Sequence, residues 1–138
     1  GEGATCLMEV QVEGTDSETE ARQIARTICG SSLVKTAVHG RDPNWGRIVA
    51  AAGRAGVDFS ADAVALWIGP HQLMSAGQPL SFDRPAASAY LSDRARGRYL
   101  VDDTVQIRLT VGGGSGCGIA WGCDLSDQYV RINADYTT

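Results

Sequence analysis

Two widely separated stretches of this sequence alternate polar and apolar side chains, and this two-residue period constrains the fold more than any other feature. Residues 104–111 alternate without a break, and residues 5–13 begin apolar and then alternate valine with polar side chains. Such a period predicts a β-strand with one face buried against a core. Between them a helical period places four apolar residues on one helix face: Ala21, Ile24, Ala25 and Ile28. The chain must therefore pack helices on a sheet.

Further patterns add elements between and after these strands. Asp16 or Ser17 is suited to cap the first helix, and Gly30 to end it. We also predict strands at 33–38, 64–68 and 118–121, a returning edge strand at 72–74, helices after Asp42 and over 85–96, and a last helix from Ser126 or Asp127. The order β-α-β-α-β-(β)-α-β-β-α indicates an α/β (α+β mixed) fold with helices packed on a mixed β-sheet. At 138 residues we expect a single domain, 1–138.

Composition argues against several classes of function. A net charge of −4 disfavours nucleic acid and anionic membrane surfaces as partners, because both need a clustered basic surface. The sequence contains no signal peptide and no run of eighteen apolar residues, so no export and no membrane span are expected. Its four cysteines form no CxxC pair and its histidines have no companion ligand at metal spacing. We therefore expect no metal site, no disulfide framework and a cytoplasmic location, with Cys6 and Cys29 acting as small buried hydrophobes.

The segment DPNWGR at residues 42–47 is a candidate anion site. Asp42 suits a helix N-cap and Pro43 the first helical position, with Gly56 as the stop. A helix N-terminus carrying Asn44 between Arg41 and Arg47 could hold an anionic group. The structural interpretation, which we favour, is a well-capped helix whose Trp45 packs into the core and whose arginines pair with acids.

A second segment, the glycine-rich residues 112–118, resembles a phosphate-binding loop only superficially. Such loops bind phosphate by laying backbone N–H groups around it at a helix N-terminus. Here the glycines lead into a predicted strand, and no GK[ST] or GxGxxG unit is present. We therefore interpret them as a flexible hairpin connector, with a nucleotide-binding loop as the less favoured alternative.

Ligand-holding side chains stand near both chain ends. Glu2 lies between Gly1 and Gly3, which allow close backbone approach, and its carboxylate could pair with a substrate ammonium. Asn133 and Thr138 offer an amide and a hydroxyl to a polar ligand. The alternatives are a solvated turn glutamate, a helix residue and a frayed end. No nucleophilic triad can be assembled, since no serine lies in a GxSxG elbow and Cys117 and Cys123 have no histidine base nearby in sequence.

Six short sequence motifs occur along the chain in the same order as in a known protein family. They are GEGAT (1–5), LVKTA (33–37), DPNWGR (42–47), GRAG (53–56), AWGCDL (120–125) and INADY (132–136). Together they make the chain similar to the C-terminal part of the β chain in the ArgJ family, the ornithine acetyltransferase / glutamate N-acetyltransferase family. The resemblance covers essentially the whole chain. One departure is Cys6, which stands where lysine is common after GEGAT.

The resemblance implies an ArgJ/DmpA-like fold and an enzyme of arginine biosynthesis that moves acetyl from N-acetylornithine to glutamate. Bifunctional members also accept acetyl-CoA as a co-substrate, and no resident cofactor is implied. Family members cut themselves into two chains, and the new N-terminal threonine takes the acetyl group in a ping-pong cycle. That threonine lies upstream of this chain, so no catalytic residue is expected here. The implied partner is the upstream remainder of the same protein, its α chain and the N-terminal part of its β chain, in an α2β2 heterotetramer.

Three residues carry over as substrate-binding positions. Glu2 matches the glutamate of the GEG word, Asn133 the asparagine of the INADY word, and Thr138 the terminal hydroxyl position. A carboxylate suits the substrate ammonium, whereas an amide and a hydroxyl suit its α-carboxylate. We therefore expect this chain to supply substrate-binding groups to an acetyltransferase and to be inactive when isolated. The alternative is a non-catalytic domain that binds amino acids or associates with itself.

Overall fold

The computed structural model describes residues 6–95 and 103–124. Its strands are β1 (Leu7–Thr15), β2 (Ala65–Ile68), β3 (His71–Ser75), β4 (Gln78–Pro79), β5 (Thr104–Thr110) and β6 (Gly116–Cys123). Its helices are α1 (Glu18–Gly30), α2 (Ser32–His39), α3 (Trp45–Gly53) and α4 (Arg84–Ala95), with one 3-10 turn at Ala61–Ala63. None of these helices is both long and apolar enough to cross a membrane.

The strands form one six-stranded sheet in the order β4-β3-β2-β5-β1-β6. β1 lies between β5, to which it is parallel, and β6, to which it is antiparallel. β2 and β3 extend the sheet beyond β5 by antiparallel pairing. The predicted α/β (α+β mixed) class with a mixed sheet is thereby confirmed.

The two alternating stretches form neighbouring strands, and their alternation decides which sheet face is buried. Met8, Val10 and Val12 of β1 are fully buried beside Val105, Ile107 and Leu109 of β5. The opposite side of the sheet, here called the open face, carries half-buried and exposed residues: Glu9, Gln11, Trp67, Gln106, Arg108, Cys117, Ile119 and Trp121. The sheet is therefore covered by helices on one face only among the described residues.

Helix α1 follows its sequence prediction. Ser17 caps it, with its hydroxyl accepting from the backbone N–H of Glu20 at 3.2 Å. Ile24 and Ile28 are fully buried together with Ala21 and Ala25, and the helix ends at Gly30. Acidic side chains in the first turn suit the positive end of the helix dipole.

The strand predicted at residues 33–38 is wrong, because these residues form helix α2. Ser31 caps it by accepting from the backbone N–H of Val34 at 3.3 Å. Val34, Ala37 and Val38 are buried at helical spacing, whereas Leu33 is 54% exposed. A segment this short fits the period of a strand as well as that of a helix, so the Ser31 cap and the packing of the buried residues decide that it is helical.

Helix α3 is present as predicted, but both of its ends differ. The N-cap is Asn44, not Asp42, and its Oδ1 accepts from the backbone N–H of Arg47 at 3.0 Å. Asp42 instead accepts from Asn44 Nδ2 at 3.0 Å. The helix ends at Gly53 rather than Gly56. The Asn44 amide occupies the N-cap position because the Asp42 carboxylate holds its Nδ2, which leaves its Oδ1 directed at the first turn of the helix.

The connector at residues 112–116 is not a hairpin. β5 and β6 lie on opposite sides of β1, so the connector must cross the end of β1. The backbone N–H of Gly114 donates to Gly14 O at 3.0 Å, and a Cβ on Gly114 would lie 2.1 Å from Thr15 O. Glycine is needed here because two backbones approach closely, not because the connector must be flexible.

Three smaller points complete the comparison with the sequence predictions. β3 is paired on both sides, and the two-residue β4 is the edge strand instead. Helix α4 spans Arg84–Ala95, close to the predicted 85–96, and buries Ala87 and Leu91. The predicted last helix lies outside the described residues.

Candidate functional site

The predicted substrate-binding residues Glu2, Asn133 and Thr138 lie outside the described residues, so their positions stay predictions. The structure does describe the residues to which their segments attach, Cys6 and Asp124. β1 begins where antiparallel β6 ends, since Leu7 is paired with Cys123. The two segments that carry the predicted residues therefore join the fold at the same end of the sheet.

Cys6 and Asp124 stabilise this junction by two hydrogen bonds, with each residue donating one and accepting one. The backbone N–H of Asp124 donates to Cys6 O at 3.2 Å. In return the Asp124 carboxylate, through Oδ1, accepts from the backbone N–H of Cys6 at 3.2 Å. One residue beyond the last ladder pair, Leu7 with Cys123, a side-chain oxygen thus takes the place of the backbone carbonyl that would continue the ladder. Asp124 is fully buried, which makes this carboxylate a fixed structural charge beside the junction.

Helix α2 brings a histidine to the same carboxylate. His39 is the last residue of α2, and its Nδ1 lies 3.2 Å from Asp124 Oδ2. Its side chain is 36% exposed, so one side of the ring faces solvent while the other contacts the buried acid. This contact exists only because residues 33–38 are helical. The sequence-based predictions assigned no role to His39 or to Asp124, although Asp124 lies within the AWGCDL word.

Arg41 supplies the positive charge of this cluster. It adopts a left-handed backbone conformation with φ of 59°, and its Nη1 donates to His39 O at 2.5 Å. Its own carbonyl accepts from Ser88 Oγ at 2.7 Å, which ties the loop to α4. The left-handed conformation is uncommon for a residue with a side chain, and it is fixed here by bonds at both ends.

These charges decide the chemistry of the Cys6 thiol. Burial first, and then the charge and hydrogen bond of the neighbouring Asp124 carboxylate, raise its pKa to about 12 against the opposing charge of Arg41. The thiol therefore stays protonated at neutral pH and cannot serve as a nucleophile. Cys29 behaves alike, since burial raises its pKa to about 11. Both cysteines are buried, as predicted.

The anion site considered at residues 42–47 does not form. Arg47 Nη1 donates to Leu33 O at 2.9 Å, and Arg84 lies 3.7 Å from an Asp42 carboxylate oxygen. Asn44 caps α3, and Arg41 faces His39 as described. The segment forms a capped helix, as the favoured interpretation has it, but Arg41 and Arg47 donate to carbonyl oxygens rather than pairing with acids.

The glycine-rich connector is also unsuited to phosphate. It leads into β6 and not into a helix, so its N–H groups gain no helix dipole. The cavity beside it, of about 270 Å³, is lined by Asp16, Glu20 and Asp58 together with the glycines. Three carboxylates around a cavity repel an anion. The nucleotide-binding alternative is disfavoured on both grounds.

No other described group offers an activated nucleophile or a metal centre. Cys117 is exposed and lies 3.9 Å from Gln11 Nε2, whereas His71 packs edge-on against Tyr90. Within the parts of the chain that the structure describes, no three His, Cys, Asp or Glu side chains converge on a metal position. The cluster of Cys6, His39, Arg41 and Asp124 is thus best understood as the support of the junction.

Comparison with known proteins agrees with the words seen in the sequence. The sequence profile of the ArgJ family matches residues 1–138. The "Arginine biosynthesis bifunctional protein ArgJ" of Prochlorococcus marinus (strain MIT 9313) is 78% identical over the whole chain, which covers 32% of that protein. The chloroplastic protein of the same name from Ricinus communis is 59% identical over the whole chain, which covers 29% of it.

A solved structure gives the same result for the fold. The crystal structure of the arginine biosynthesis bifunctional protein ArgJ from Bacillus halodurans superposes with a TM-score of 0.87 at 43% identity. The match covers 99% of this chain and 60% of that one. The chain spans about a third of the length of the curated relatives it matches.

Proposed function

This chain belongs to the ArgJ family, and on that premise we propose that it forms a substrate-binding part of an arginine-biosynthesis acetyltransferase. In the proposal the complete protein transfers acetyl from N-acetylornithine to glutamate through an acetyl-enzyme. The attacking threonine lies in the preceding part of the protein, at the new N-terminus that self-cleavage creates. Acetyl-CoA is a second acetyl donor if the protein is bifunctional, as its relatives are named.

The observation that carries the proposal is the two-way hydrogen bonding of Cys6 with Asp124. It holds the start of β1 and the end of β6 side by side. Glu2 stands four residues before Cys6, which is at most about 13 Å of extended chain. Asn133 stands nine residues after Asp124, at most about 30 Å. Both side chains can therefore reach one common ligand near the junction.

The chemistry of the proposed groups matches such a ligand. The carboxylate of Glu2 pairs with the substrate ammonium, and the Asn133 amide and Thr138 hydroxyl donate to its carboxylate. These residues bind and orient the amino-acid substrate, so that binding energy is used to place the reacting atoms correctly. The Cys6 thiol does not compete as nucleophile, because burial and Asp124 raise its pKa to about 12.

The test is Glu2→Gln in the protein at its natural length. We expect the rate of acetyl transfer to fall about a hundredfold, because one charge-assisted contact to the ammonium is lost, while self-cleavage continues. The matched control is Glu13→Gln, the same change near the other end of β1. Unchanged kinetics of the Glu2 variant, or an equal loss in both variants, would contradict the assignment of Glu2.

A further inference from the structure

The carboxylate of Asp124 bonds to two different elements through its two oxygens. Oδ1 accepts from the backbone N–H of Cys6 at 3.2 Å, and Oδ2 lies 3.2 Å from Nδ1 of His39. An ionised carboxylate only accepts hydrogen bonds, so the contact with His39 requires a proton on Nδ1 of the ring. A bond to one oxygen alone would leave the carboxylate free to turn about its Cβ–Cγ bond, because that torsion is broad. The bond from His39 therefore decides which oxygen faces Cys6.

Helix α2, which ends at His39, is bonded near both of its ends to residues of the DPNWGR motif. Near its start Leu33 O accepts from Arg47 Nη1 at 2.9 Å, and near its end Ala37 O accepts from the backbone N–H of Asp42 at 2.9 Å. These bonds hold the helix in place, so the ring at its end is a fixed donor to the carboxylate. The motif thus supports the histidine in addition to capping α3.

The N–H of Cys6 belongs to the peptide group that joins Cys6 to Thr5. Because a peptide group is planar, a bond that fixes this N–H also fixes the direction in which the chain enters β1. Glu2 stands only three residues before Thr5, so a change of direction at Cys6 displaces its carboxylate. A displacement of about 1 Å in a group that places the substrate can cost up to about a hundredfold in rate.

We propose that His39 is a positioning residue for Glu2 and acts through Asp124. The inference rests on the proposed function, in which Glu2 binds the substrate ammonium. The influence passes from the His39 ring to the Asp124 carboxylate, from there to the Cys6 N–H, and along the chain to Glu2. If His39 served stability alone, its replacement would reduce the amount of folded protein. A positioning role instead changes how the folded protein binds its substrate.

The first test compares three replacements of His39 in the protein at its natural length, assayed with N-acetylornithine and glutamate. The side-chain amide nitrogen of asparagine is as many bonds from Cα as Nδ1 of histidine, whereas that of glutamine corresponds to Nε2. We expect His39→Ala and His39→Gln to raise KM for N-acetylornithine about tenfold, the effect of one hydrogen bond to a charged group. His39→Asn keeps a donor at the Nδ1 position and should stay within about twofold of the unmodified protein.

The control for this series is His71→Ala, which removes the other histidine of the chain and should leave KM unchanged. A loss of folded protein would lower kcat and leave KM as it was. Three results would each overturn the proposal: an unchanged KM in His39→Ala, a fall in kcat alone, or an asparagine variant as impaired as the alanine variant.

The second test combines His39→Ala with Glu2→Gln and compares kcat/KM. If His39 acts through Glu2, the two losses share one cause, and the double variant should be at most about twofold worse than Glu2→Gln alone. Independent sites would instead multiply their losses. A multiplied loss, with Glu2→Gln itself impaired, would refute the role of His39 and leave the proposed function standing. An unimpaired Glu2→Gln would refute the proposed function, and the role of His39 with it.

Discussion

Replacing Asp124 tests whether one buried carboxylate holds the junction of β1, β6 and α2. In Asp124→Ala the backbone N–H of Cys6 and the Nδ1 of His39 both lose the oxygen that lies 3.2 Å away. Hydrogen bonds to a charged acceptor contribute about 1.5–3 kcal/mol each, and leaving the buried N–H of Cys6 without an acceptor costs about 1–3 kcal/mol. Part of this loss is offset because a buried charge is removed. We expect the free energy of unfolding to fall by about 3 kcal/mol.

Asp124→Asn separates the geometry of the acceptor from its charge. The amide oxygen can still accept from the Cys6 N–H, and the amide nitrogen can donate to a neutral His39 Nδ1. We expect a loss of about 1 kcal/mol, because the bonds remain but become neutral.

Urea unfolding followed by circular dichroism measures both variants. The control is Asp58→Ala, which removes an exposed carboxylate and should change stability by less than about 0.5 kcal/mol. If the Ala and Asn variants of Asp124 lost equal stability, acceptor geometry would not matter. If Asp124→Ala matched the control, Asp124 would not hold the junction, and the support for the proposed site would be removed.

Two further predictions concern the buried thiol and the crossing connector. Because the pKa of Cys6 is raised from 9.0 to about 12 in the folded protein, its contribution to stability is full below pH 9 and is lost as pH rises toward 12. In urea titrations the Cys6 thiol should contribute a fall in stability of up to about 1.4 kcal/mol per pH unit above pH 9, and Cys6→Ala should remove this part of the slope; an unchanged slope would contradict the burial of a neutral thiol. Gly114→Ala should cost more than about 2 kcal/mol, because its Cβ would lie 2.1 Å from Thr15 O, whereas Gly113→Ala meets nothing within 4 Å and should be nearly neutral. Equal thermal midpoints of the two glycine variants would show that the connector does not pass closely over β1.

Much of the fold could be predicted from local patterns. The alternation at residues 104–111 and 5–13 located β5 and β1, and the spacing of Ala21, Ile24, Ala25 and Ile28 located α1 and its buried face. These predictions succeeded because each segment is long enough for its period to be unambiguous. The segment at 33–38 failed because six residues satisfy both periods, and only the Ser31 cap and the buried contacts of Val34 decide for a helix.

The candidate site was less accessible to sequence reasoning. Glu2, Asn133 and Thr138 came from the resemblance to the ArgJ family and stay predictions. Asp124 and His39 carried no local signal as a pair, since 85 residues separate them. The motifs DPNWGR and AWGCDL identified the family correctly. They did not indicate that Asn44 caps a helix or that Asp124 joins the start of β1 to the end of β6 by hydrogen bonds.

The sequence by itself determined the family, the mixed class of fold, and the side of each long strand that is buried. These properties follow from side-chain order along one segment, which local periodicity and motif words record directly. Only the tertiary structure decided that β1 lies between β5 and β6, that the glycine connector crosses its end, and that Cys6 meets Asp124. Strand order and side-chain convergence depend on contacts between distant residues, and such contacts are fixed by the packing of the whole chain.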